Sequence, residues 1–409
     1  LAMCYTGDIQ DSSRTKYTLQ YYKDCAKQIE DSGAHILAIK DMSGLLKPWA
    51  AYELVAELKN TIKIPIHLHT HDTSSLQPAT YLKAIEGGVD VVDCAIGAMS
   101  GLTSQPNFNA VVEMMKFHER ENLYDIKKLN QFSTYWEAVR EWYYPFESGM
   151  KASSAEVFYH EIPGGQYSNL KPQAEGLGLG DKIEDIKKTY RAVNELFGDI
   201  VKVTPSSKVV GDMALFMVTN NLTKEDVLTK GQNISFPESV VSLFKGDIGQ
   251  PVGGFDPQLQ KIILKDAKPY TERPNEHLQP IDFDKEFETF KKKFGEGVVF
   301  TDLLSYLLYP KVFEEYYAKY KEYGDVWHIP TLNFFYGMKP DEEVLIEIGK
   351  GKSILVRYLT CGDPGEDGKR KVFMRLNGQT RIIEIQDCSI KVITHENEKI
   401  DKSNSKHIG

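Results

Sequence analysis

Short apolar runs separated by amphipathic stretches make up the first hundred residues. The runs at residues 2–5, 35–40, 64–71 and 89–96 predict strands at a spacing of roughly 25 to 35 residues, as successive βα units require. Between the first two, Leu19, Tyr22, Ala26 and Ile29 recur at helical spacing, with Ser13 expected as the cap and Gly33 near the end. A second helix is expected to open at Pro48, with Tyr52, Leu54, Val55 and Leu58 along it. The tyrosines read as packing residues. Strand followed by helix four times predicts parallel strands and an α/β fold amounting to half of an eight-stranded (β/α)8 barrel. In such barrels the reactive groups sit at the carboxyl ends of the strands. Thr6-Gly7-Asp8, Lys40-Asp41-Met42, His69 to Asp72 and Met99 to Pro106 all fall there, so one mouth collects them.

From residue 119 to 333 the pattern turns helical and aromatic, as in Tyr135-Trp136 and Trp142-Tyr143-Tyr144. Two loops interrupt it: Pro163-Gly164-Gly165-Gln166, read as a flexible turn, and residues 249–256, read as a cover for the barrel mouth. After residue 333, alternation returns at Val344, Ile346 and Ile348, at 353–358 and at 371–375, with Asn377-Gly378 as a hairpin turn. Three domains are expected: 1–118, 119–333 and 334–409.

Composition narrows the class. With 41% hydrophobic and 26% charged residues among 409, the chain matches a water-soluble globular protein, and no apolar run spans a bilayer. Its 49 Lys and Arg against 58 Asp and Glu give a net charge of −9 with no basic block, which argues against nucleic acid as a partner. Five cysteines without a Cys-x-x-Cys favour a reducing, cytoplasmic setting. The chain opens on a strand without a signal peptide and ends on polar, linker-like residues 401–409, as expected of a piece of something larger.

The strongest chemical signal is Pro-Ile-His-Leu-His-Thr-His-Asp at Pro65 to Asp72. On a strand, His67, His69 and His71 share one face, and three imidazoles at period two favour a metal site over an ordinary hydrogen-bonded histidine. His69 and His71, nearest the strand's end, are the expected ligands, with His67 one layer deeper. Imidazole and oxygen donors suit zinc, manganese or cobalt alike. Lys40, one unit earlier, would be repelled by a cation as an ammonium. As a carbamate formed with carbon dioxide it becomes an anionic ligand. Asp72 reads as an orienting partner of a histidine or as a helix cap. Met99 to Pro106, with Pro106 expected to open a helix, is either an anion cradle or a plain loop. Thr204-Pro205-Ser206-Ser207-Lys208 and Pro163 to Gln166 offer hydroxyls, a cation and an amide, yet on spacing alone they are ordinary turns.

Several strings together resemble the carboxyltransferase region of biotin-dependent pyruvate carboxylases. They are Cys4-Tyr5-Thr6-Gly7-Asp8, Ile39-Lys40-Asp41-Met42 with Gly44 to Pro48, Pro65 to Thr73, Gly101 to Pro106, Glu161 to Gln166 and Lys202 to Asp212, and the likeness continues through Phe244 to Phe255. The resemblance implies the latter part of a TIM barrel, then a helical funnel, then a small β-rich tether module. It implies transfer of a carboxyl group from carboxybiotin to pyruvate, giving oxaloacetate. Lys40 resembles a carboxylated lysine ligand, His69 and His71 the histidine ligands of a manganese or zinc ion, and Thr204 a proton relay. Gln166, Ser207 and Lys208 match positions near the biotin site. The implied partners are a biotin carrier domain, an ATP-using biotin carboxylase domain and further copies of the chain in a tetramer. The family's Asp-Ala-His-Gln-Ser segment and its Met-Lys-Met biotin attachment site are not matched, and Ser75 stands where the family has glycine. The segment alone is therefore expected to be inactive.

Other readings stay open. An aldolase or acyl-transferring synthase would use the His-x-His pair without Lys40 or Thr204 to Lys208, and a decarboxylase or transcarboxylase subunit would share the barrel. A non-enzymatic reading gives helices 13–30 and 48–58 to a dimer face, with Tyr22 or Tyr52 stacking on a nucleotide effector.

Overall fold

A parallel sheet in the order β1 (Ala2–Tyr5), β2 (Leu37–Asp41), β3 (Ile66–Thr70) and β4 (Val91–Val92) forms the start of the chain in a computed structural model. The structure describes residues 1–390, so the polar stretch 401–409 lies outside the described residues. Helices α1 (Leu19–Asp31), α2 (Pro48–Thr61), α3 (Gln77–Glu86) and α4 (Phe108–Met114) alternate with the strands. Strand alternation sorts the side chains: Met3, Tyr5, Leu37, Ile39, Ile66 and Leu68 are buried in a core shared with the helices. Each such Leu or Ile contributes about 1.5–3 kcal/mol. The opposite face carries Cys4, Lys40, His67 and His69, and register sets Cys4 beside Lys40 and Lys40 beside His69.

Local boundaries differ from the expectation where a stronger hydrogen-bond partner intervenes. Ser13 does not cap α1, because its amide and hydroxyl both bond Asp11 at 3.0 and 2.6 Å, and Thr18 caps instead by accepting from Tyr21 N. Similarly, the helix does not open at Pro106: α4 starts at Phe108, capped by Asn107, which accepts from Ala110 N at 3.1 Å. The fourth strand is two residues long. Beyond it the chain turns, with Ala95 bridging to Asn107 and the Asp93 carbonyl taken by the Tyr81 hydroxyl at 2.5 Å. Tyr22 is buried, stacked on Tyr5 and bonded through its hydroxyl to Thr6 O at 2.9 Å, so it has no free face for a nucleotide. Tyr52 is exposed rather than packed.

Two backbone positions shape the mouth of the sheet. Ser75 adopts φ 63°, the left-handed region that favours glycine. Gly44 has φ 75°, and a Cβ there would lie 2.2 Å from the His71 carbonyl oxygen. Gly44→Ala is therefore expected to destabilise the protein by about 2 kcal/mol or more, from left-handed strain plus the clash. A denaturant midpoint equal to that of the unsubstituted protein would contradict this.

The chain divides into two compact units, Leu1–Gln279 and a second starting at Pro280. The first continues through α5 (Ile126–Trp142), α6 (Val157–His160), α7 (Gly164–Gly176), α8 (Ile183–Leu196), α9 (Ser206–Thr219), α10 (Lys224–Lys230), α11 (Glu238–Lys245) and α12 (Pro257–Leu264). Helix α9 buries Val209, Val210, Met213, Ala214 and Met217, a mark of a helix central to its core. The second unit holds α13 (Phe283–Phe294), α14 (Phe300–Leu308), α15 (Pro310–Tyr323) and α16 (Thr331–Tyr336), with Phe290, Leu303 and Phe313 buried together. Its antiparallel sheet runs β5 (Glu343–Gly349), β6 (Lys352–Cys361), β7 (Lys369–Leu376), β8 (Gln379–Gln386) in that order. Asn377 and Gly378, at φ 47° and 83°, turn β7 into β8 as the Asn-Gly pair predicts. Among the described residues no helix is long and apolar enough to cross a membrane.

Candidate active site

Lys40, at the penultimate position of β2, and His69, at that of β3, stand side by side, and His71 follows directly. His69 Nδ1 lies 2.8 Å from one Asp93 oxygen, and His67 Nε2 lies 2.7 Å from the other. Burial would raise the Asp93 pKa, but the two imidazoles outweigh it and hold the carboxyl below the usual range. His71 Nδ1 donates to the Thr103 carbonyl at 2.6 Å. Burial is the main cause that lowers the His71 pKa, with help from His69 and Lys40, so the ring stays neutral. Carboxylate and carbonyl at Nδ1 leave the Nε2 lone pairs of His69 and His71 as donors, with ring centroids 5.2 Å apart.

This donor chemistry fits a divalent cation. Among the described residues no three His, Cys, Asp or Glu side chains converge on one metal position. Two imidazoles thus need a further donor, and Lys40 is the residue that register sets beside His69. Asp72 accepts at 3.2 Å from the backbone N of Gln77, the first residue of α3, while Leu76 holds the N-cap position without a side-chain cap bond. In the loop at Met99 to Ser104, Ser100 Oγ donates to Gly97 O at 2.8 Å and the Thr103 carbonyl orients His71, while the loop and Arg140 line a separate cavity of about 410 Å³.

A cavity of about 420 Å³ gathers Lys40, His71, Gln166, Thr204, Ser207 and Lys208 on its wall. His69 does not line it but stands two residues before His71. Pro163 to Gln166 is not a flexible turn. It begins α7, where Gly164 N donates to Met42 O at 2.8 Å and a Gly164 Cβ would come within 2.7 Å of His71 Nδ1. Gln166 packs over α9, where a Cβ on Gly211 would meet its Nε2 at 2.7 Å. Thr204 precedes α9 and is exposed to solvent, Ser207 is buried, and Lys208 reaches Asp212 at 2.7 Å one turn on. The loop 249–256 remains irregular, and its Gln250 and Pro251 share a second cavity of about 300 Å³ with Thr204.

The sequence reading assigned no role to Asp93, Arg14, Glu161 or Lys202. Asp93 was signalled only as an acid within the apolar run Val91 to Ile96. Lys202, 1% exposed, places its ammonium 3.1 Å from Glu161, which also pairs with Arg14. Burial pushes the Glu161 pKa up, but Lys202 and then Arg14 outweigh it and hold it below 4.5. A depressed folded pKa adds stability that is present above the unfolded value and is lost as pH falls through the folded one. The stability difference between the unsubstituted protein and Glu161→Gln is therefore expected to be constant above pH 4.5 and to shrink below it. Urea titrations at stepped pH check this, and a difference that persists in acid counts against it.

Fold and site define a barrel-type α/β unit joined to a carboxylase-like helical region, and family models agree. The HMGL-like family matches residues 3–134, and the conserved carboxylase domain matches 157–357. Pyruvate carboxylase of Bacillus subtilis is 52% identical over 407 residues, covering 100% of this chain and 36% of that protein. The human mitochondrial pyruvate carboxylase is 40% identical over 411 residues, covering 100% of this chain and 35% of its own. The carboxyl transferase domain of Rhizobium etli pyruvate carboxylase superposes with TM-score 0.89 at 48% identity, covering 95% of this chain and 65% of that one. The chain belongs to the pyruvate carboxylase family, within its carboxyltransferase region. It spans about a third of the length of these curated relatives.

Proposed function

We propose that this chain is part of the carboxyltransferase of a biotin-dependent pyruvate carboxylase, moving a carboxyl group from carboxybiotin to pyruvate to form oxaloacetate. The observation that carries the reading is the one cavity shared by Lys40, His71, Gln166, Thr204, Ser207 and Lys208. A solved relative, the Rhizobium etli carboxyl transferase domain, is described with pyruvate and biocytin.

The chemistry follows from the hydroxyl of Thr204. The carboxybiotin N–C bond breaks, carbon dioxide leaves, and the electron pair stays on the ureido nitrogen. Thr204 gives that nitrogen its proton and takes one from the pyruvate methyl group, whose carbon then bonds the released carbon dioxide. Gln166, Ser207 and Lys208 hold the biotin ring and its ureido oxygen beside Thr204. A manganese or zinc ion held by His69, His71 and a Lys40 carbamate would supply Lewis-acid polarisation and anchor the site.

In this reading residues 1–118 are the latter half of a TIM barrel, 119–333 its funnel and 334–409 a tether or allosteric module. Biotin arrives on a carrier domain, ATP is used by a biotin carboxylase domain, and the assembly is a cytoplasmic homotetramer. Exposed Tyr52 on α2 is the remaining candidate for a nucleotide effector at a dimer face. The test is oxaloacetate formation by the intact enzyme with ATP, bicarbonate and pyruvate, and by residues 1–409 alone. Formation that requires biotin in the intact enzyme and is missing from the segment supports the reading. Biotin-independent formation, or turnover by the segment, refutes it.

A further inference from the structure

We infer that Glu161 is a positioning residue for carboxyl transfer, acting through Lys202 on Thr204, an inference that rests on the proposed function. Glu161 lies outside the wall of the main cavity, yet the segments that build this wall meet at it. Its carboxylate pairs with Arg14 from the loop after β1 and with Lys202, whose ammonium also lies 3.4 Å from Thr6 Oγ1 at the end of β1. Its carbonyl accepts from Ser43 Oγ, after β2, at 3.0 Å. Three residues on, Gly164 starts the helix that carries Gln166.

Lys202 itself lines the cavity, two residues before Thr204. The intervening turn is stiff: the Ser206 hydroxyl lies 2.6 Å from the carbonyls of Val201 and Val203 and accepts from Val203 N at 3.1 Å. Thr204 thus sits on a turn fixed by Ser206, directly after the segment whose buried end Lys202 anchors, so the inference is that a displaced Lys202 shifts this segment as a unit. Glu161 holds φ 54°, left-handed for a residue with a side chain, and such conformations persist at sites whose surroundings fix them. A buried ammonium deprived of the Glu161 carboxylate is left with the Asp199 carboxylate at 4.0 Å and Thr6 Oγ1 at 3.4 Å, and must shift toward them or toward water.

The experiment compares Glu161→Gln, Lys202→Met and Lys202→Arg in the intact enzyme. In the first two, kcat for oxaloacetate is expected to fall about 10- to 100-fold, the cost of a relay displaced by about an ångström. KM for pyruvate should change by less than about twofold, and ATP cleavage should continue, so more ATP is spent per oxaloacetate. Lys202→Arg, which keeps the cation, should recover part of the rate. Kcat within about twofold of the unsubstituted enzyme, or a parallel loss of oxaloacetate formation, ATP cleavage and thermal stability, overturns the inference. Should Glu161→Gln not fold, Glu161→Asp keeps the charge at shorter reach and is read the same way. An unsubstituted enzyme that makes no oxaloacetate overturns the proposed function and this inference with it.

Discussion

Thr204→Ala in the intact enzyme is expected to lower oxaloacetate formation by about 10²- to 10⁴-fold, the range of a lost proton-transfer group. Thr204→Ser should stay close to the unsubstituted rate. The contrast isolates the hydroxyl, since both substitutions remove the methyl and only one removes the oxygen. Folding should change little, because Thr204 is exposed and precedes α9 rather than packing in its core. ATP cleavage should persist, because in the proposed reaction carboxybiotin forms on another domain and is then lost without productive transfer. A coupled assay for oxaloacetate beside one for phosphate release reads both quantities. Alanine at the unsubstituted rate would exclude the relay, and serine as slow as alanine would point to the methyl contact instead.

Legibility in the sequence followed the range of each interaction. The histidine stripe was legible because a strand's period of two is local, and Asn377-Gly378 because a tight turn demands positive φ in adjacent residues. Pro48 marked the start of α2 because its fixed negative φ and missing N–H suit the first helical turn. Capping was less legible. Ser13 and Thr18 are equally good caps by type, and the choice fell to Asp11, which holds Ser13 in a turn. Pro163-Gly164-Gly165 has the composition of a turn, but Gly164 serves the close approach of α7 to His71. Burial separated Tyr22 from Tyr52 where helical spacing did not. Contacts between distant parts of the chain were not legible as pairs: Arg14 meets Glu161 across 147 positions, and Asp93 meets His69 across 24. Only the resemblance linked Thr204 to Lys40, and the cavity they share supplies a physical ground for it.

Replacing His71 by alanine is expected to leave the purified intact enzyme without its divalent metal and without oxaloacetate formation. The neutral ring is fixed through Nδ1 by the Thr103 carbonyl, so its other nitrogen loses little freedom on ligating a cation. Asp93→Asn provides the graded comparison. It keeps the shape but withdraws a carboxylate from His69 Nδ1, which should weaken metal affinity by about 10- to 100-fold rather than abolish it. Elemental analysis after dialysis against a chelator series ranks the three proteins, and intact mass reports whether Lys40 carries an added carbon dioxide. The carbamate should be lost together with the metal in His71→Ala, since a lysine beside an empty site has no cation to favour the anionic adduct. Full metal occupancy in His71→Ala would break the assignment of the stripe. Metal loss with the carbamate retained would leave the histidines as ligands and remove Lys40 from the set.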